Sequence, residues 1–186
     1  MELFCRFLKI IDVNLIYCLI PIILTLFFVE LFFKNRFETR KALNLIRWTI
    51  ISYTIMTLIH FLIGIFTQGD EYVFITRPNG SYKIAYLISL SFALFLPFTL
   101  MVKSLWTKFG YILLVAFLMK AGFYFERYVI IVTSLHEDYL PQNESFQFVN
   151  SLLFGIGMIF LQGLIITIII LGLFEILKRK NLRTKK

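Results

Sequence analysis

The chain has 186 residues, 59% of them hydrophobic and 18% aromatic, with 16% charged and a mean hydropathy of +0.83. That balance lies far outside the soluble range and predicts an all-α, polytopic integral membrane protein. The net charge of +8 does not argue for nucleic acid, because the basic residues gather in short loops and a tail beside apolar runs, where membrane topology accounts for them.

The opening stretch MELFCRFLKIIDVN, residues 1–14, places Arg6, Lys9 and Asp12 before a long apolar run. It reads as an amphipathic lead-in lying at the interface, and the lack of a small-residue cleavage pattern argues against a removable signal peptide. Cys5 and Cys18 have no CxxC spacing and imply neither a redox nor a metal motif.

A membrane span needs about 20 predominantly apolar residues. Five stretches meet that need, at about 15–33, 46–66, 82–102, 109–135 and 148–177, within one membrane domain of residues 15–177. The first holds Glu30, most simply neutralised by one of the basic residues Lys34, Arg36, Arg40, Lys41 and Arg47. The second contains His60. In the third, Pro97 should kink the helix and free the carbonyl of Ala93, four residues earlier. The fifth exceeds what a bilayer requires and should be tilted or extended beyond it. Ser151 and Gly155 form a small-xxx-small pair in it, and Gly157 and Gly163 add close-approach sites. A basic tail, residues 178–186, closes the chain.

Charge sets the expected orientation. Thirteen Lys and Arg fall on the side of the first loop, the third loop and the tail, against four on the other. The positive-inside rule then puts the C-terminus in the cytoplasm and the N-terminus outside.

The fourth stretch carries Lys120, Glu126 and Arg127 within its apolar length. Each such group costs at least about 2.5 kcal/mol at the bilayer centre, so partners are required. Lys120 and Arg127, seven apart, share a face, and Glu126 is turned about 100° away from Arg127. Lys120 falls near mid-membrane, the other two nearer the exterior. Partners must come from elsewhere, with His60 and Gln162 as candidates. Snorkelling with simple neutralisation competes with a proton-path or quinone-proximal role for Lys120, Glu126, Arg127 and His60. His60 and His136 make a bis-histidine haem conceivable, but there is no second pair, and no metal-ligand cluster or nucleophile triad is present.

The run ERYVIIVTSLHEDYLP, residues 126–141, resembles the NrfD/PsrC-type membrane subunits of quinone-linked oxidoreductases, and within them the ActC-type subunit of Alternative Complex III, a quinol:cytochrome c oxidoreductase. The likeness falls on Glu126, Arg127, Tyr128, Thr133, Ser134, Leu135, His136, Asp138, Leu140 and Pro141, and extends more loosely over Ser52 to Ile176. The family has two four-helix bundles, and this chain matches only the C-terminal half. The family's quinone site belongs mainly to the other bundle, beside an iron-sulfur protein.

The resemblance therefore implies a half-length subunit containing one four-helix bundle, in a bacterial-type inner membrane. Other membrane subunits and an iron-sulfur subunit would be its partners. No cofactor would be bound directly, and quinone or quinol would be reached through the complex. A non-catalytic scaffold or assembly subunit is the alternative. A small transporter would require a midplane site with broken helices, at which only Pro97 hints.

Overall fold

In the computed structural model, which describes residues 2–34, 36–67, 83–125, 128 and 142–183, all regular structure is helical and no strand occurs among the described residues. The elements in order are α1 (Glu2–Ile11), a π-helical segment (Asp12–Ile16), α2 (Leu19–Phe33), α3 (Thr39–Thr67) and α4 (Lys83–Phe95), then a 3-10 segment (Leu96–Met101), α5 (Lys103–Trp106), α6 (Phe109–Met119) and α7 (Gln142–Arg183). Residues 121–125 are helical again after a turn at Lys120.

Among the described residues, three helical stretches are long and apolar enough to cross a membrane: Leu3–Phe33, Thr39–Phe66 and Phe154–Lys180. Their outward faces are apolar. On α7, Ile168, Ile169 and Leu173 are each more than half exposed, which suits lipid or a neighbouring helix far better than water. The protein is thus an all-helical membrane protein. The expected spans at 15–33, 46–66 and 148–177 fall on these three stretches. Those at 82–102 and 109–135 meet only the shorter apolar helices Leu87–Met101 and Phe109–Met119 among the described residues.

Pro97 accounts for the first of these interruptions. A proline lacks the N–H for the i−4 bond and crowds the carbonyl of Ala93. Accordingly α4 stops at Phe95 and the chain tightens into a 3-10 run of six residues with Pro97 buried near its start. The Thr99 hydroxyl donates to the Leu96 carbonyl at 2.6 Å and lies 2.7 Å from the Tyr111 hydroxyl of α6, which ties the tightened turn to its neighbour.

The chain forms two compact units. The first comprises Met1–Ile16 and Asn44–Gly122. Along α6, Ile112, Val115, Ala116 and Met119 are buried at the i, i+3, i+4, i+7 spacing that makes one face of a helix. Gly122 lies close against α4: a Cβ there would stand 3.0 Å from the Ser89 hydroxyl. α1 runs against α3 in the opposite chain direction, for Cys5 lies beside His60 and Asp12 beside Tyr53. Arg6 and Lys9 remain exposed, on a different side of α1 from buried Leu8.

The second unit comprises Tyr17–Leu43 and Phe123–Lys186. Here α2 packs on α7, with Leu19, Ile22, Ile23 and Leu26 buried on one side and Gly163, Thr167 and Leu171 on the other. The two helices are parallel, since Gly163 meets Cys18 and Pro21 while Lys178 reaches Glu38 at 3.9 Å, just past the end of α2. Glu30 is neutralised as its sequence setting implies, by Arg40 at 2.8 Å, and accepts a hydrogen bond from Thr39.

Of the glycines expected to allow close approach, Gly163 does so and Gly155 and Gly157 do not. A Cβ at 163 would lie 2.7 Å from Pro21 Cγ and 3.3 Å from the Cys18 carbonyl, whereas nothing lies within 4 Å of one at 155 or 157. Neither a pyrrolidine ring nor a backbone carbonyl yields cheaply, so Gly163→Ala should cost about 1–3 kcal/mol through overpacking. Thermal unfolding in detergent micelles measures this, with Gly155→Ala, whose methyl meets no neighbour, expected to hold or slightly raise the midpoint through helix propensity.

Candidate functional site

The site begins with a charge problem in the middle of the first unit. Tyr53 is the central residue of α3, about 21 Å from either end at the helical rise. Its hydroxyl donates to Asp12 Oδ1 at 2.6 Å, and Lys120 Nζ donates to the same oxygen at 2.5 Å. The Lys120 side chain is 12% exposed and that of Asp12 24%. A carboxylate and an ammonium, each costly alone at this depth, therefore neutralise one another while a phenol supplies an additional donor.

Both charged residues sit where a helix is interrupted. Asp12 opens the π-helical segment, which is followed by a turn at Tyr17 and Cys18. A π turn widens the helix, a distortion concentrated at functional sites in proteins generally. Lys120 closes α6, with φ −105° and ψ 8°. Its own N–H turns back to the Phe117 carbonyl at 3.1 Å. Two helices thus break at one level, and the ion pair fills the break.

His60 occupies the same side of α3 as Tyr53, seven residues on, or about 10 Å toward the C-terminal end of that helix. Its Nε2 lies 4.0 Å from Cys5 Sγ, and its ring centroid is 6.0 Å from that of Phe4, tilted by 49°. Cys5 and Asp12 are also seven apart. A polar line therefore runs along the α1–α3 contact, with Cys5 and His60 at one level and Asp12, Tyr53 and Lys120 at the next.

Of the residues singled out from sequence, Lys120 and His60 lie on this line. Asp12 supplies a counter-charge to Lys120. Asp12 stands in the charged stretch 1–14, 108 residues before Lys120, so local pattern does not point to it. The matched spacing of Cys5 to Asp12 and Tyr53 to His60 is the signal that could have revealed it. Glu126, Arg127, Thr133, Ser134, His136, Asp138 and Pro141 lie outside the described residues, and Tyr128 is exposed. No group of three or more His, Cys, Asp or Glu arranged to hold a metal occurs among the described residues.

No family model, curated protein or solved structure matches this chain. The class to which it belongs is thus defined by its fold and site alone: an all-helical membrane protein with a largely buried acid–base pair at the middle of a span-length helix.

Removing one member of a buried pair strands the other, at about 3–5 kcal/mol, whereas replacing both with apolar groups can be nearly neutral. Asp12→Leu and Lys120→Met should each destabilise the protein by that amount, and the double variant should recover most of the loss. Denaturant unfolding in micelles, arranged as a double-mutant cycle, gives the coupling. Additive losses would mean that the two charges do not act as a pair.

Proposed function

We propose that this chain is a membrane subunit of a quinone-linked respiratory oxidoreductase, corresponding to the C-terminal half of the NrfD-type fold, and that it supplies a buried proton-handling path to that complex. The observation that carries this reading is the Asp12–Lys120 pair on Tyr53, with His60 along the same face. Groups able to take up and release protons are placed where the apolar surroundings would otherwise forbid them. The sequence makes Glu126 and Arg127 candidates for the same proton-handling role, and the family-like run ending at Pro141 supports the assignment to an oxidoreductase complex. Quinone would be reached through the complex, and an iron-sulfur subunit and further membrane subunits would be the partners.

Five spans in a bacterial-type cytoplasmic membrane, with the N-terminus outside, belong to the same proposal. Two contacts support it. In the first unit, Arg47 near the start of α3 meets Trp106 of α5, as expected if the first and third loops share a side. In the second unit, α2 and α7 run parallel, as first and fifth spans must.

The interrupted helices favour a second reading, a small transporter with its site at the midplane. Substrate-dependent uptake into vesicles holding this protein alone would decide for it.

Purification in mild detergent should recover the chain with an iron-sulfur subunit and a second NrfD-like half. Asp12→Asn or Glu126→Gln should then lower quinol-dependent electron transfer, or its proton yield, by roughly tenfold or more, the smaller end of acid–base effects. The subunit should remain in the complex. Full turnover with normal assembly would leave only a scaffold role for these carboxyl groups.

A further inference from the structure

Arg47 presents a second charge problem, at the edge of the apolar part of α3. After Trp48 that helix continues TIISYTIMTLIHFLIGIF, so Arg47 marks the level at which polar chain gives way to an apolar span. Its guanidinium cannot shed its charge. It lies 5.0 Å from the centroid of the Trp48 ring and 4.8 Å from that of Trp106. These are the chain's two tryptophans, brought to one arginine from positions 58 residues apart.

Ring contacts stabilise a cation but do not neutralise it. The hydrogen bond from Nη1 goes to the neutral Asn44 Oδ1 at 3.1 Å, and Nε is sealed without an acceptor. No ion pair to Arg47 occurs among the described residues. Lys103 stands three residues before Trp106 and Lys108 two after it, and both are exposed. The pattern is a half-buried guanidinium held between two indoles, with exposed ammonium groups on the connection that supplies one of them.

We infer that Arg47, with Trp48, Trp106, Lys103 and Lys108, binds the phosphate of an anionic phospholipid headgroup. With indoles against the guanidinium, the approach left to an oxyanion is at its Nη atoms, where phosphate oxygens accept charge-assisted hydrogen bonds. Tryptophan favours the headgroup level of a bilayer, and basic pockets between membrane helices recognise anionic headgroups. A phospholipid supplies its phosphate at that depth, with acyl chains that continue along the exposed apolar side chains of α3, such as Ile55 and Ile59. This inference does not depend on the respiratory role proposed above.

Because both tryptophans belong to the site, intrinsic tryptophan emission reports on it alone. The protein is placed in phosphatidylcholine bilayers containing equal fractions of either dibrominated phosphatidylglycerol or dibrominated phosphatidylcholine. Quenching should be stronger with the anionic lipid. Arg47→Gln should reduce that preference about fivefold, the effect of one basic contact near the surface. The double variant Lys103→Gln/Lys108→Gln, altered only at exposed positions, should reduce it as well and serves if Arg47→Gln fails to fold. Equal quenching by the two lipids, or a preference that survives in the variants that fold, overturns the inference. Displacement of the brominated lipid by millimolar inorganic phosphate would make this a free-anion site and overturn the lipid assignment.

Discussion

A charge in the middle of a bilayer must be met by its opposite, and in the first unit that requirement joins three parts of the chain remote in sequence. Asp12 comes from the π-helical segment, Tyr53 from the centre of α3 and Lys120 from the end of α6, and all three converge on one carboxylate oxygen. Hydrophobic burial alone is permissive about rotation and sliding, because one apolar side chain packs almost as well as the next. A shared oxygen is not, since a displacement of one residue would strand an ion.

The distortions around the pair follow from the same demand. A regular helix through residues 12–16 or through 120 would point each side chain wherever the 3.6-residue period dictates. The π turn and the turn at Lys120 free those two side chains from that period and let them meet. Pro97 breaks its helix for a different reason, the loss of an N–H, and its broken end is held by hydroxyl contacts instead of charge. The two kinds of interruption therefore have separate consequences. One creates a buried acid–base centre, and the other shapes packing between α4 and α6.

In the second unit the described helix contact is made by apolar and small residues. α2 and α7 come together because Gly163 has no side chain to oppose Pro21, while the Thr167 hydroxyl turns inward to its own helix, donating to the Gly163 carbonyl at 2.8 Å. The ion pairs among its described residues, Glu30 with Arg40, Glu38 with Lys41 and Lys178, and Glu175 with Arg179, lie near the ends of the helices. Arg47 in the first unit lies near the start of α3, where ring contacts stabilise its charge without neutralising it.

Composition and local pattern were enough to determine the class of fold, three of the stretches that became span-length helices, the break at Pro97 and the neutralisation of Glu30 close by in the chain. Those properties depend on hydropathy, on the missing N–H of proline and on neighbours within about ten residues, all of which a linear reading contains. The cost of Lys120 was also legible, because an ammonium in an apolar run needs a partner wherever it folds. The identity of that partner was not. Asp12 is 108 residues away and stood in a stretch that its charges suggested was interfacial, and Gly163 looked no different from Gly155. Only the tertiary structure could decide between them, because a pairing across helices depends on their relative rotation and depth, and those are set by every contact at once.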